Sequence, residues 1–308
     1  MKRNLLVILL VFSCMTTAIG QEIRVIEQKQ LTTQAEGQFF FPKFSPDGNS
    51  ILITSENYKG LKVRDLKTKK TLSLSEAEGA GYEPVFSPDG EKVYFRENIT
   101  NDLKKYSNLN EFRILKKKNV VLEKKKRNVS TAQIVNNQLV YSIDNSPKKS
   151  KISGTKTLKS AQSEIYISNE NLKIVLYQNG TRKMLPLNGD GNYIWASLSP
   201  NRQKILYNYN GKSTYIADLE GNVLVNLGKL NAPKWINNNW VVGMNDQDNG
   251  HEVISSDILA VSADGKTKSN LTSTSDQIEM YPEVSATGDQ VIFHTTKGEI
   301  FSLKLKVN

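Results

Sequence analysis

The chain has 308 residues, 41 Lys and Arg against 31 Asp and Glu for a formal charge of +10, a single Cys and two His. One Cys excludes an internal disulfide framework and a thiolate metal cage, and two His leave little material for histidine-based hydrolysis. The basic excess bears on partners and solubility, not on fold.

The first twenty residues read as a secretory signal peptide. Lys2 and Arg3 are followed by an apolar run over residues 5–12, and Ala18-Ile19-Gly20 forms a small-x-small cleavage site before Gln21. The run is too short to span a bilayer, and no later segment approaches that length. Val11-Phe12-Ser13-Cys14 partly matches a lipoprotein box, but Phe12 fits poorly next to the cleavage position. Export to the periplasm or cell surface by the Sec route is therefore expected, with anchoring at Cys14 the lesser alternative and the only Cys lost with the signal.

A β-rich stretch over residues 23–31 has no partner nearby, and a repeat follows it. Phe44-Ser45-Pro46-Asp47-Gly48 recurs as Phe86-Ser87-Pro88-Asp89-Gly90, each leading into an apolar strand, Ile51-Leu52-Ile53 and Val93-Tyr94-Phe95. Pro presets the first corner of a type I turn and Gly takes the left-handed position that closes the hairpin. Weaker copies start at Gln133, Leu198, Pro233 and Val284. A second hairpin ends the copies, as in Tyr215-Ile216-Ala217-Asp218 and Ile258-Leu259-Ala260-Val261, and Ile174-Val175-Leu176-Tyr177 turns in the same way through Asn179-Gly180. Six copies put about 48 residues in each, near the roughly 40–50 of a four-stranded propeller blade. The expected fold is all-β: a six-bladed β-propeller of four-stranded blades, with blades about 34–75, 76–127, 128–188, 189–228, 229–273 and 274–308 plus 21–33. The last copy has only three strands, so the N-terminal strand is expected to complete it and close the ring, hiding edges that invite aggregation.

The pattern apolar-Ser-Pro-Asp-Gly-x-x-apolar-x-apolar resembles the repeat of TolB-like propellers, found in many exported bacterial proteins. The resemblance covers nearly all of the mature chain, closely in two copies and loosely in four. It implies a propeller scaffold with a central funnel that often binds a protein or a glycan. It does not name a ligand. The α/β domain that precedes the propeller in TolB has no counterpart here beyond one short strand, so contact with an inner-membrane partner is not implied.

Chemistry is sparse. No Gly-x-Ser-x-Gly elbow and no phosphate loop occurs. His294 falls within a strand and reads as structural; His251 lies in a loop with Asp246, Asp248 and Glu252, which reads as a solvated acidic turn rather than a calcium loop. No cofactor and no metal are expected. The principal reading is a non-catalytic binding module for a protein partner or a cell-envelope polymer, without nucleic acid, as a monomer. The alternative is a carbohydrate-active enzyme, a lyase or glycoside hydrolase, using funnel carboxylates such as Glu83 and Glu283.

Two surfaces are candidates. The first is a basic sector of one face, carrying Lys104, Lys105, Lys124, Lys125, Lys126, Arg127, Lys148, Lys149, Lys151, Lys156 and Lys159, the last five in a loop over residues 144–163. It suits an acidic protein or an anionic polymer. The second is the funnel mouth, where residues just before each inner strand should gather: Phe41, Lys43, Glu83, Trp195, Lys234 and Tyr281. Aromatic and charged groups around an opening suit peptide or glycan binding.

Overall fold

The structure, a computed structural model, describes residues 22–152 and 164–307. The expected signal segment with Cys14 and two of the sector's lysines, Lys156 and Lys159, lie outside the described residues.

The first strand, β1 (Ile23–Gln30), belongs to the last blade. Blade 1 follows as β2 (Phe40–Phe44), β3 (Ser50–Thr54), β4 (Leu61–Asp65) and β5 (Thr71–Ser75), and blade 2 as β6 (Val85–Phe86), β7 (Lys92–Asn101), β8 (Lys104–Arg113) and β9 (Lys118–Lys126). Blade 3 is β10 (Gln133–Val135), β11 (Gln138–Ile143) and β12 (Ser146–Lys151); blade 4 is β13 (Ile165–Glu170), β14 (Lys173–Gln178) and β15 (Thr181–Met184). Blade 5 comprises β16 (Tyr193–Leu198), β17 (Ile205–Tyr209), β18 (Ser213–Ala217) and β19 (Val223–Gly228). Blade 6 comprises β20 (Asn231–Trp235), β21 (Trp240–Asp248), β22 (Val253–Ser262) and β23 (Lys268–Asn270). Blade 7 is β24 (Glu279–Val284), β25 (Gln290–Thr295) and β26 (Ile300–Val307), with β1 as its outer strand.

The described residues thus form seven sheets of three or four strands, which corrects the expected six blades of four. The error lies in residues 128–188, taken as one blade. They hold two three-stranded sheets, and neither uses a Ser-Pro-Asp-Gly turn. In its place they turn on Asn136-Asn137 and Asn171-Leu172, all four residues left-handed, which is the signature of a two-residue type I′ loop.

The core explains why seven sheets close. Each middle strand is buried on both faces, so its apolar residues run without interruption and alternate between two neighbours. Ile51 and Ile53 pack with Ile292 and Ile300 of blade 7, whereas Leu52 packs with Phe86, Val93 and Phe95 of blade 2. Trp240 and Val242 face Val291 and Phe293 of blade 7, and Val241 faces Leu206 of blade 5. Blades 2 and 3 share Tyr94 with Leu139 and Tyr141; blades 3 and 4 share Val140 with Val175; blades 4 and 5 share Ile174 and Leu176 with Ile205 and Tyr207. Every neighbouring pair therefore has its own hydrophobic seam.

The N-terminal strand takes the place the sequence assigned to it. β1 pairs antiparallel with β26, from Ile23 opposite Val307 to Gln30 opposite Phe301. The Ser-Pro-Asp-Gly turns also form as read. Gly48 N–H donates to the Ser45 carbonyl (2.9 Å) with Gly48 at φ 70°, and Ser45 Oγ accepts from the Ser50 amide (3.0 Å). Ser199 repeats this in Ser199-Pro200-Asn201-Arg202, with Asn in the place of Asp and Arg202 at φ 57° in the glycine position. Among the described residues, no helix is long and apolar enough to cross a membrane.

Candidate functional site

One local device recurs at the start of the inner strands. In blade 1 Phe40 pairs with Thr54 but Lys43 with Leu52, so Phe41 and Pro42 together oppose Ile53. The same two-against-one bulge occurs at Trp195-Ala196, Ala232-Pro233 and Tyr281-Pro282. The first residue of each is left-handed, with φ of 49° at Phe41, 53° at Trp195, 45° at Ala232 and 51° at Tyr281; Glu83, just before β6, matches them at 49°. Non-glycine residues adopt this conformation at a cost of about 1 kcal/mol or more each. Pro42, Pro84, Pro233 and Pro282 follow four of the five, placing a residue without an N–H where the ladder is interrupted. A bulge re-aims side chains, and here it turns them toward the axis.

All six residues expected at the mouth line one opening of about 80 Å³: Phe41, Lys43, Glu83, Trp195, Lys234 and Tyr281. Tyr58, Tyr82 and Glu283 join them. Two ion pairs bridge neighbouring blades there. Lys43 Nζ lies 3.1 Å from Glu83 Oε2, linking blades 1 and 2, and Lys234 Nζ lies 2.8 Å from Glu283 Oε2, linking blades 6 and 7. The positive charges of Lys43 and Lys234 hold the Glu83 carboxyl down at about 2 despite its desolvation. Burial pulls the Lys234 ammonium down, but Glu283 and Glu83 outweigh it and leave its pKa above the usual lysine range.

An aromatic wall runs beside these charges. Tyr58 stacks on Phe41 at 4.0 Å between ring centroids, Tyr82 meets Tyr58 edge-on at 5.1 Å, and Tyr281 meets Phe41 edge-on at 4.9 Å. Burial raises the pKa of Tyr58, Tyr82 and Tyr281, so all three phenols stay neutral donors at physiological pH. Behind them His294 stacks on Tyr281 at 5.6 Å and is nearly fully buried, with Nδ1 3.1 Å from the Thr295 carbonyl. It is a packing residue, as the sequence suggested.

The chemistry of the mouth suits holding rather than turnover. A glycosidase acid needs a raised carboxyl pKa, and Glu83 is driven the opposite way by its two lysines. Asp246 is buried and accepts from Asn231 Nδ2 (2.8 Å), while Asp248 and Asn249 accept from amides of their own turn. Among the described residues, no group of three or more His, Cys, Asp or Glu is placed to hold a metal ion.

The basic sector is only partly assembled. Lys104 and Lys105 open β8 at the Asp102-Leu103 turn, and Lys126 pairs with Ser107, so Lys124, Lys125, Lys126 and Arg127 run beside the same hairpin. Lys125 Nζ sits 5.2 Å above the Tyr106 ring. This hairpin is the counterpart of the turn carrying Tyr58, so the cluster and the mouth share a face. Lys148, Lys149 and Lys151 depart from the reading: they lie along β12 rather than in a loop. Lys149 is ion-paired to Glu164 (2.6 Å), and Lys151 stands opposite Gln138 at the far end of its hairpin.

Tyr58 and Tyr82 were missed, and Glu283 was read only as a carboxylate of the alternative enzyme, not as part of the mouth. The two tyrosines come from connections outside the repeat. Glu283 had a signal: it follows Tyr281-Pro282 as Lys43 follows Phe41-Pro42 and Lys234 follows Ala232-Pro233.

The fold and the mouth define an all-β propeller whose distinctive surface is a charged and aromatic opening at one end of its axis. No family model matches the sequence, and no curated protein matches it. Among solved structures it is similar to TolB from Acinetobacter baumannii, with a TM-score of 0.53 and 19% identity over 80% of this chain. The chain spans 56% of the length of that protein. At this identity the likeness shows the fold.

Proposed function

We propose that the chain is a non-catalytic binding propeller acting outside the cytoplasm, and that its mouth receives a segment of a protein partner. The observation that carries this reading is the run of left-handed residues at one rim, Phe41, Glu83, Trp195, Ala232 and Tyr281. Backbone strain repeated at the same place in five blades needs a reason beyond packing, and it aims aromatic and charged groups at one opening. A peptide segment suits that opening. Its side chains stack on Phe41, Tyr58 and Trp195, and its backbone meets the neutral phenols and the two ion pairs. The experiment is capture of envelope proteins on the mature chain at low and moderate salt, beside Trp195→Ala and Lys43→Glu. One protein retained by the wild type at both salts and lost from both variants, whose folding is checked by circular dichroism, supports the reading. Retention by both variants refutes it.

The basic sector supports a second reading, attraction of an anionic envelope polymer. Six cations, Lys104, Lys105, Lys124, Lys125, Lys126 and Arg127, crowd one hairpin on the mouth's face. Such retention would fall steeply with salt, which separates it from the mouth.

A further inference from the structure

The face opposite the mouth carries a groove of about 520 Å³ between blades 1 and 2. Its apolar floor is Val63, Leu72, Phe86 and Ile114. The carboxylates of Asp47, Asp65, Asp89 and Glu91 also line it, against two lysines, Lys70 and Lys117. Hydrogen bonds within the turns hold Asp47, Asp65 and Asp89 in place: Ser45 Oγ donates to Asp47 (2.6 Å), the Thr68 amide to Asp65 (2.6 Å) and the Glu91 amide to Asp89 (3.1 Å). The groove is therefore apolar at its base and net negative, on a chain whose formal charge is +10.

The opposite end of the same blade carries the complementary shape. β7 and β8, ten residues each, form a hairpin that turns at Asp102-Leu103, and Leu103 is 99% exposed. An aliphatic side chain presented so fully to water is followed directly by Lys104 and Lys105, with Lys124–Arg127 alongside. The tip cannot reach its own groove. Ten residues of β8 put the two ends of the blade about 30 Å apart.

We propose that the groove accepts the Leu103 hairpin tip of a second copy of this chain, giving head-to-tail association. Leu103 enters the floor between Val63, Leu72, Phe86 and Ile114, and Lys104 and Lys105 meet the carboxylate rim. Because the two surfaces lie on opposite faces, the contact is heterologous: each copy offers one tip and one groove, and stacking continues until the ends run out. The association weakens with salt, since its rim is electrostatic. It does not depend on the mouth reading, because neither surface includes a mouth residue.

The test is sedimentation of the mature chain against concentration at low and at moderate salt, with two variants. Leu103→Asp removes the tip and Leu72→Asp blocks the groove. Each alone is expected to weaken association about ten-fold or more, from the loss of one buried aliphatic contact. A mixture of the two is decisive. The Leu72→Asp chain keeps a working tip and the Leu103→Asp chain a working groove, so the mixture forms a 1:1 pair and stops there. A second groove variant, Glu91→Lys, gives the same result should Leu72→Asp fold poorly. A wild type that stays monomeric up to its solubility limit at low salt overturns the proposal. So does association untouched by Leu103→Asp. A hairpin variant that loses retention on an anionic polymer while self-association persists also overturns it and assigns the tip to that polymer.

Discussion

Replacing Lys234 by Met tests whether the mouth is held together by its ion pairs. Lys234 is the cation shared by Glu283, at 2.8 Å, and by Glu83, whose ionisation it supports from across the opening. The side chains of Lys234 and Glu283 are 27% and 20% exposed. An exposed pair contributes about 0–1 kcal/mol, and breaking a fully buried one costs about 3–5 kcal/mol, so a pair one-quarter exposed should cost about 1–2 kcal/mol. In a domain of this size that lowers Tm by about 2–3 °C. The acid limb should move as well. The folded pKa of Glu83 is depressed to about 2, so its contribution is present above its unfolded pKa and is lost as pH falls through about 2. Without Lys234 that pKa rises, so the contribution shrinks and its loss is complete at a higher pH. The contribution is small, because the Glu83 side chain is 47% exposed. The assay is thermal unfolding of Lys234→Met, Glu283→Gln and the double variant from pH 7 down to pH 3. Coupling of about 1 kcal/mol between the two sites is expected. An unchanged or raised Tm for Lys234→Met, with additive single effects and an unmoved acid limb, would refute the reasoning.

His294 is held neutral by burial, with its pKa depressed to about 4. Its contribution is complete above its unfolded pKa near 6.5 and falls away as pH drops toward 4, by at most about 3 kcal/mol, so His294→Phe should flatten the Tm–pH curve in that window. A curve parallel to wild type would show that the ring titrates alike in both states. Gly288 sits at φ +74°, where an added methyl would run into the carbonyl oxygen of Ile236 in the neighbouring blade. Gly288→Ala should therefore cost roughly 2 kcal/mol or more in denaturant unfolding, since strain and clash add; a loss below about 0.5 kcal/mol would mean that the blades give way freely.

The legible parts of the fold were those where a turn imposes a residue type. Ser45-Pro46-Asp47-Gly48 and its copy at Ser87 each need a small oxygen acceptor, a fixed φ and a left-handed closing residue, and only a few residues meet those demands. Blade 4 escaped because its loop is built differently. Asn171-Leu172 turns in two residues, and Leu172 at φ 60° is not a residue that announces a turn. The count of seven was nonetheless written in the middle strands. Ile174-Val175-Leu176 is the same doubly buried triplet as Ile51-Leu52-Ile53 or Val291-Ile292-Phe293, but it was assigned to a second hairpin instead of to a blade of its own. At the mouth, position within the repeat was enough to find Phe41 and Tyr281. It could not find Tyr58 and Tyr82, whose placement depends on connections that differ from blade to blade. The basic sector shows the converse. Charge density along the sequence was plain, yet alternation along β12 separates Lys148 from Lys149, and Glu164 neutralises the latter.

The pairing of β1 with β26 sets a schedule for the chain. Its first strand is made at the outset but has no partner until the last residues arrive, so the ring stays an open arc for nearly the whole of synthesis. Phe301, Leu303 and Leu305 would complete the seam with Trp240 and Phe293 only at the end. A protein arranged in this way stays open while it emerges and locks only once β26 is made. The latch that finishes the structure is also a guard against finishing it too soon.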